Sequence, residues 1–517
     1  MRHALVWFKR DLRLEDHEPL SHAQCAEQLL CLYCYEPCVL DQPEHDPRHL
    51  DFVNQSLQQL ERGLLSRGNR LVLRQGDAPA VFADLHRVFS FDTILSHEET
   101  GLESTYARDR AVKAWCDEHR VEWIETPRDG VVRRLGSRDG WASKWSARMN
   151  REPIPAPAQL PQPPESVEPG AILDAKALGI TPSTATETQR GGRIEAISLL
   201  ETFLSNRGVD YRSAMSSPVA GWDACSRLSP HFAFGTLSIR EAHHATEAQR
   251  CSVDERVRSG EPLDRRWRDS LGSFAKRLRW QSHFIQKLED EPQIEFRNFN
   301  RGYDGMRPGD DGDPDRVGPS WGHPQDERLE RWWQGQTGYP FVDACMRCLH
   351  TTGWMNFRMR AMLASFASYH LWLHWRLPAQ RLARLFTDFE PGIHFPQFQM
   401  QSGVTGINTV RIYNPIKQQQ DQDPTGRFVR RWVPELEGVP EEHLAQPWKM
   451  PGFTQHMAGC VIGDHYPEPI VDHAEAYRFA RDTTFAFKRS ARARTEASKV
   501  YRRHGSRKRP RNTSSKT

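Results

Sequence analysis

The chain has 517 residues, of which 38% are hydrophobic and 26% are charged, and these values fit a globular protein with two or three domains. No apolar run is long enough to cross a bilayer, and the first residues lack the apolar core of a signal peptide, so we expect no membrane association and a cytoplasmic location. Ten cysteines are too few for a disulfide scaffold.

Positive charge is concentrated at the C-terminus. Residues 488–517 carry twelve Lys and Arg against one Glu, a balance of +11, so the formal charge of +3 leaves −8 for the rest of the chain. A polar basic segment of this kind is typical of disorder and attracts phosphate without reading sequence, although it can also serve solubility alone. We therefore expect any DNA contact of the folded body to be a local basic patch.

Short apolar runs alternate with helical patterns over residues 1–128. Helical periodicity marks Asp51–Arg67 and Tyr106–Glu118. The alternation predicts an α/β domain whose parallel sheet is covered by helices on both faces, and the missing G-x-G-x-x-G after the first strand argues against a standard dinucleotide site. The apolar runs that predict strands are His3–Phe8, Leu29–Tyr35, Arg70–Leu73, Thr93–Ser96 and Val121–Ile124.

The rest of the chain divides into three parts. Residues 129–195 are Pro-rich and aperiodic, which predicts a linker between domains. Residues 196–487 show helical patterns and few strand signals, which predicts an all-α domain. Residues 488–517 are the basic tail, which we expect to be disordered. The predicted fold class is an α/β parallel-sheet N-terminal domain followed by an all-α C-terminal domain.

A cluster of three cysteines has the spacing of a metal site. Cys31, Cys34 and Cys38 fall in and just after a predicted strand, which would direct Cys31 and Cys34 to opposite faces of the sheet. Cys345 and Cys348 fall in a helical pattern, where small core residues are expected. No metal site is therefore predicted.

Four stretches resemble the DNA photolyase/cryptochrome family, and they follow the family's order over nearly the whole chain. The resemblance implies an α/β antenna domain followed by a helical FAD-binding domain, in a protein that is usually monomeric. The stretches are VWFKRDLRLEDHEPL (6–20), CSRLSPHFAFGTLS (225–238), TGYPFVDACMRCLHTTGWMNFRMRAM (337–362) and FTDFEPGIHFPQFQMQSG (386–403), the last followed by VRIYNPIKQQQDQDPTGRFVRRWVPEL (410–436).

The resemblance also implies which residues hold FAD. Hydroxyls and N–H groups at a helix start suit a pyrophosphate, and an Arg–carboxylate pair beside the flavin ring can be bidentate and rigid. Without the family, the same residues fit an ordinary N-cap and a structural salt bridge. A His facing flavin N5 can titrate near neutral pH and donate a proton or hydrogen bond to the reduced ring. The implied residues are Tyr211, Ser226, Arg227, Leu228, Ser229, Gln281, Phe284, Arg360, Asp388, Glu390 and His394, the last being the one that faces N5.

The implied substrate pocket departs from both known signatures of the family. Trp280 matches a Trp that stacks against the DNA lesion. Arg277 stands where enzymes for cyclobutane dimers usually carry Glu. Phe357 and Ala361 stand where those enzymes carry Asn and Met, and where (6-4) photolyases carry two His. The expected catalytic residues are Trp280, Arg277 and His394.

The family's electron-transfer chain is altered in this sequence. Trp375 matches the middle Trp of the chain, and Trp321 matches the outer one. Phe398 occupies the inner position, and Phe is much harder to oxidise than Trp. The resemblance therefore predicts a route that is broken, or rerouted through another aromatic residue such as Trp354 or Trp372.

An antenna site is the second altered feature. The stretch EETGLESTYARDRA (98–111) resembles the family's folate-contacting region, but Thr105 stands where Glu is familiar. The sequence leaves open whether an antenna chromophore binds, and whether it is of folate or flavin type.

The function favoured by the resemblance is light-driven repair of ultraviolet-damaged DNA. Photoexcited reduced FAD gives an electron to a pyrimidine dimer, which splits in a carbon–carbon lyase reaction. The expected DNA contacts are Arg358, Arg411 and Lys417, near the pocket mouth. The alternative is a cryptochrome-type blue-light photoreceptor without repair activity, because the pocket matches neither signature and the C-terminus is highly charged.

Overall fold

The computed structural model describes residues 1–262, 264–308 and 326–506. Five parallel strands form one sheet in the order β3-β2-β1-β4-β5, and the pairing registers Val6 of β1 against Cys31 of β2 and Leu95 of β4. The strands are β1 (His3–Phe8), β2 (Gln28–Tyr35), β3 (Leu71–Gln75), β4 (Thr93–His97) and β5 (Glu122–Thr126). The predicted strands are confirmed with ends shifted by at most two residues.

Helices cover both faces of this sheet, as predicted. Alternate residues of β1 enter different cores, with Val6 in one and Trp7 in the other. Cys31 and Cys34 likewise lie in opposite cores. The helices are α1 (Glu18–His22), α2 (Pro37–Leu40), α3 (Pro47–Leu65), α4 (Ala78–Val88) and α5 (Glu103–His119).

The predicted linker contains a helix, α6 (Trp141–Met149). Trp141, Trp145 and Met149 recur every four residues and are buried in one core with residues of the following domain. The expectation of an aperiodic linker is therefore wrong for this segment. The flanking prolines obscured three apolar residues that share one helix face.

The second domain is all-α, as predicted. Its contacts with the first domain include those of two arginines: Arg48 donates to the carbonyl oxygens of Leu349 (3.1 Å) and Leu385 (2.9 Å), and Arg376 pairs with Glu44 at 2.7 Å. The helices are α7 (Arg193–Ser205), α8 (Tyr211–Ala214), α9 (Ala220–Ala224), α10 (Ser229–Ala233), α11 (Ile239–Arg258), α12 (Arg266–Asp290), α13 (Glu327–Trp333), α14 (Pro340–Thr352), α15 (Phe357–Ser365), α16 (Arg376–Leu385), α17 (Pro391–Gln401), α18 (Pro415–Gln422), α19 (Arg427–Trp432), α20 (Glu441–Leu444), α21 (Gly452–Met457) and α22 (His473–Arg489). Within the described residues, no helix is long and apolar enough to span a membrane.

The basic tail begins with a helix, α23 (Ala491–His504). Ser490 caps it by accepting a hydrogen bond from the Ala493 N–H, and Ala493, Val500 and His504 are buried against the domain. The prediction of disorder over 488–517 is therefore wrong for this part of the tail. Residues 507–517 lie outside the described residues.

Candidate active site

One face of α12 carries four of the predicted site residues. Arg277, Trp280, Gln281 and Phe284 are spaced by three and four residues and therefore lie side by side along the helix. Trp280 is 48% exposed whereas Phe284 is buried. The face thus runs from the protein surface at Trp280 to the interior at Phe284.

The exposed end of this face forms a platform of two aromatic rings and a cation. The Arg277 guanidinium carbon lies 4.7 Å from the Trp280 ring centre and 5.7 Å from that of Phe357, which begins α15 and is 45% exposed. Arg277 Nη2 also lies 3.9 Å from Met215 Sδ. Ala361, one turn further along α15, is buried. The residues that depart from the family pattern, Arg277, Phe357 and Ala361, therefore lie around one place.

Arg360 and Asp388 form a bidentate ion pair. Arg360 Nη1 donates to Asp388 Oδ1 at 2.9 Å and Nη2 donates to Oδ2 at 2.8 Å, while Nε donates to the carbonyl oxygen of Met355. Burial alone would raise the pKa of Asp388, but the Arg360 guanidinium, with the Ser229 hydroxyl, holds that pKa below its ordinary value. A fixed carboxylate and a fixed guanidinium thus lie beside the Ser-Arg-Leu-Ser loop.

His394 does not have the properties expected of a proton donor. Its Nε2 lies 2.8 Å from the carbonyl oxygen of Ala379, which can only accept, so Nε2 carries the proton. Burial lowers the pKa of His394 to about 4. The imidazole is therefore neutral at pH 7 and its Nδ1 is an acceptor, which corrects the expectation of titration near neutral pH.

Glu390 faces the first domain. Its carboxylate pairs with Arg10 at 3.3 Å and with Arg128 at 3.6 Å, both of which belong to the N-terminal part of the chain. The side chain is buried between the domains. The sequence predicted a Glu390 side chain at the flavin edge and did not predict its pairing with the first domain, because pairing over this distance leaves no signal in the local sequence.

The Ser-Arg-Leu-Ser loop is held in an unusual conformation. Arg227 adopts a left-handed φ of 62°, and its guanidinium carbon lies 4.2 Å from the Trp222 ring centre and 4.1 Å from that of Trp354. The residue at the N-cap of α10 is Leu228, and no side chain caps that helix, so the serines do not serve as an N-cap. Nearby Tyr211 is buried, which raises the pKa of its hydroxyl to about 12.

Several buried polar atoms at or near this loop have no hydrogen-bond partner among the described residues. They include Arg227 Nε, Asn356 Oδ1, Arg358 Nε and Gln189 Oε1, the last on a side chain that donates to the Arg227 carbonyl oxygen. Buried polar groups are nearly always satisfied, so these atoms fit a site that takes a polar ligand. Asn356 was not among the residues predicted from the sequence, although a polar residue directly before α15 within a matched stretch was a signal for it.

Two of the expected DNA contacts, Arg358 and Arg411, lie at opposite ends of α15. Arg358 lies in its first turn and is half-buried, whereas Arg411 and Lys417 are exposed. Ser365, at the other end of α15, donates to the Arg411 carbonyl oxygen at 3.5 Å and accepts from the Tyr413 N–H at 3.1 Å. Arg358 and the backbone of Arg411 therefore lie about 10 Å apart along α15, while Lys417 belongs to α18.

Of the expected electron-transfer residues, Trp375 lies within the helical domain and Trp321 lies outside the described residues. Trp375 is fully buried, and its Nε1 donates to Asn298 Oδ1 at 2.8 Å. Phe398 is buried in the same core, as part of α17.

A crevice opens at the carboxyl ends of β1 and β2, lined in part by Arg10, Tyr35, Glu36 and Thr105. The strand order reverses between β1 and β4, and in open α/β sheets ligands bind at that reversal. Burial raises the pKa of Glu36 to about 7, although its pairing with Arg108 at 3.0 Å opposes this. The Thr105 hydroxyl donates to the Leu102 carbonyl oxygen and is thus already engaged.

Comparisons with known proteins agree with this geometry. The family model for DNA photolyase matches residues 4–135, and the model for the FAD-binding domain of DNA photolyase matches residues 274–485. A deoxyribodipyrimidine photo-lyase of Streptomyces griseus is 31% identical over 92% of this chain and 98% of its own. A cryptochrome DASH of Gloeobacter violaceus is 29% identical over 90% of this chain and 93% of its own.

A solved structure has the same fold. It is an archaeal photolyase from Sulfolobus tokodaii with two FAD molecules, with a TM-score of 0.73, 26% identity, and coverage of 94% of this chain and all of the other. Together, these similarities support FAD as the cofactor of the helical domain. The chain belongs to the DNA photolyase/cryptochrome family.

Proposed function

We propose that this protein repairs ultraviolet-damaged DNA in a light-dependent lyase reaction. The observation that carries the proposal is the pair of exposed rings of Trp280 and Phe357, with the Arg277 guanidinium carbon 4.7 Å and 5.7 Å from their centres. Large aromatic rings exposed to water are unfavourable in free energy, and rings exposed beside a buried polar site are typical of a surface that binds a ligand. A flipped pyrimidine pair offers planar faces that stack on such rings.

The residues beside the platform fit FAD. Arg227 Nε and Arg358 Nε are buried donors without partners and suit the phosphate or carbonyl oxygens of a flavin dinucleotide, while Asn356 Oδ1 is a buried acceptor that suits one of its N–H groups. The Arg360–Asp388 pair would stabilise the negative charge of a reduced flavin ring. When bound, FAD supplies the electron that opens the dimer and receives it back, so the reaction has no net oxidation.

Arg277 would act on the lesion itself. Its positive charge takes the place of the acid common in cyclobutane-dimer enzymes, and its position against Trp280 brings it to the edge of any base stacked there. A cation at that edge would stabilise the negative charge that the dimer carries after it has accepted an electron. His394 would act on the cofactor side, because its neutral Nδ1 can only accept a hydrogen bond.

Repair of defined lesions tests this proposal. The reduced, FAD-loaded protein is mixed with duplexes carrying either a cyclobutane dimer or a (6-4) product, and repair is measured with and without blue light. We expect light-dependent repair of one lesion, and Trp280→Ala should weaken binding of that lesion by about 1–3 kcal/mol. The matched control is Phe453→Ala, which removes a 78% exposed ring from α21 and should change nothing.

The second candidate is a blue-light photoreceptor. It is favoured by the departures at Arg277, Phe357 and Ala361, and the relatives of this chain include both photolyases and cryptochromes. No repair of either lesion by a protein whose FAD responds to light would contradict the first proposal and favour this one.

We further propose that the crevice beside β1 and β2 binds an antenna chromophore of flavin type. The crevice lies at the reversal of strand order, and the archaeal photolyase of the same fold holds two FAD molecules. Its half-buried lining residue Cys38 gives a test. Protein reconstituted with excess FAD should retain two flavins per chain, and Cys38→Phe should retain one. Cys25→Phe, at an exposed cysteine outside the crevice, is the control.

A further inference from the structure

The helix α23 presents a basic face to solvent. Its buried residues recur on one side, and the opposite arc carries Arg492, Arg494, Lys499, Arg502 and Arg503. The only acid in the helix, Glu496, lies at the margin of that arc and pairs with Lys499 at 2.6 Å. Five cations against one carboxylate leave a surplus of four positive charges within the helix, although Arg492 also pairs with Asp304 at 3.5 Å and Arg503 with Glu291 at 3.3 Å.

The helix is fixed rigidly to the domain. The Asn300 amide donates to the Ala493 carbonyl oxygen at 2.9 Å, and His504 Nε2 lies 2.7 Å from a Glu291 carboxylate oxygen. Val500 packs in a small core with Leu288 and Phe299. A basic segment held in this way keeps its charges at constant positions relative to the rest of the molecule.

Two contacts connect α23 to the region of the platform. Ile407 packs on the core that contains Val500, and Gly406 lies beside Ala497, so α23 adjoins the loop that leads to Arg411. Arg494 precedes Ala497 by three residues and lies next to it on the helix surface. The helix also sits on the C-terminal end of α12, which lies ten residues or about 15 Å along the helix axis from Trp280.

We infer that the basic face of α23 binds the phosphate backbone of duplex DNA flanking the lesion. The nature of the partner rests on the proposed repair function. The charge surplus complements phosphate, and the face continues from the loop of Arg411. Because α23 lies beyond the loop of Arg411, we expect the contact outside the base pairs next to the lesion. Tyr501 is the one large ring on the exposed arc, which disfavours insertion into a lipid surface.

The test compares lesion duplexes of two lengths across a salt series. One duplex extends three base pairs on each side of the lesion, and the other extends ten. The variant carries Arg494→Gln, Lys499→Gln and Arg502→Gln, since Gln can still donate to the Arg489 carbonyl oxygen that Arg494 contacts. The control carries Arg87→Gln, Lys113→Gln and Arg120→Gln on the first domain, with the same change in charge.

On the long duplex, we expect the variant's slope of log affinity against log salt to be shallower by about 2 to 3. On the short duplex, variant and wild type should bind alike, and the control should match wild type on both. An unchanged slope on the long duplex overturns the proposal, as does an equal loss on both lengths. The proposal is also overturned if the variant binds DNA as wild type does but loses binding to vesicles of anionic lipid.

Failure of this proposal can be distinguished from failure of the repair function. If the α23 variant repairs a lesion and binds DNA as wild type does, the proposal for α23 is rejected and the proposed repair function is retained. If no lesion is repaired, the same salt series is run on an undamaged duplex of 21 base pairs. A shallower slope for the variant there supports the surface without the repair function.

Discussion

The Nε2 atom of His394 donates to the carbonyl oxygen of Ala379 at 2.8 Å, and this contact fixes the tautomer of the imidazole. Burial lowers the pKa of His394 to about 4, from about 6.5 in the unfolded chain. Between these values the unfolded chain takes up a proton that the folded protein does not. The free energy that His394 contributes is therefore fully present above pH 6.5 and is lost as the pH falls towards 4.

His394→Asn makes this contribution measurable. The Asn side chain does not titrate, so its contribution to the free energy of unfolding is the same at every pH. The difference in free energy of unfolding, variant minus wild type, should rise by about 3 kcal/mol between pH 7 and pH 4. Urea unfolding at a series of pH values measures it. A difference that stays constant over this range would mean that His394 has the same pKa in the folded protein as in the unfolded chain.

The packing of α12 against α17 gives a second prediction. A Cβ added at Gly392 would lie 2.6 Å from Ile285 Cα, which is backbone and cannot move aside. Ala is favoured over Gly within a helix by about 1 kcal/mol, but the overlap should win, and Gly392→Ala should lower the free energy of unfolding by about 1–3 kcal/mol. Gly272→Ala in α12 meets nothing within 4 Å and should instead stabilise by up to about 1 kcal/mol. Equal effects of the two variants would contradict this packing argument.

How far the sequence could predict the molecule depends on the range of the interactions. The strands of the first domain follow from local alternation, and the two cores of the sheet follow from the two faces of β1. The residues on α12 also follow, because helical spacing alone places Trp280 beside Arg277 and Phe284.

The features that were missed depend on partners distant in sequence. Glu390 meets Arg10 and Arg128 across the domain boundary. The helix α23 has only small or single apolar residues on its buried side, and its stability comes from contacts with residues 288–303. The tautomer of His394 depends on a carbonyl oxygen of α16. None of these contacts can be inferred from local composition or spacing.

The buried pair of Arg360 and Asp388 gives a third prediction. Asp388→Asn leaves the Arg360 charge without its partner, which should lower the free energy of unfolding by about 3 kcal/mol and release FAD. The control is Glu435→Gln, which breaks an ion pair with a more exposed carboxylate, in which Arg347 Nη1 donates to both oxygens. It should cost less than about 1 kcal/mol and retain FAD. Thermal unfolding and the flavin content of the purified protein measure both effects, and full FAD retention by Asp388→Asn would contradict the role of the pair.

The last prediction concerns electron supply to the cofactor. Phe398 stands where the family has the inner Trp, while the buried Trp375 remains in place. The alternative carriers Trp354 and Trp372 each have an arginine on a ring face, Arg227 at 4.1 Å and Arg307 at 4.8 Å. A positive charge at that distance disfavours removal of an electron from the indole, so neither is a good substitute.

Phe398→Trp should therefore speed photoreduction of bound FAD at least tenfold, at a packing cost of about 1–3 kcal/mol. The rate is followed as loss of the oxidised flavin absorption under blue light with an external electron donor. Adding Trp375→Phe should abolish the gain, because the introduced indole, once oxidised by the flavin, could no longer take an electron from Trp375. If wild type already photoreduces as fast as Phe398→Trp and slows on Trp354→Phe, electrons pass through Trp354 in spite of Arg227, and the electrostatic argument against that route is wrong.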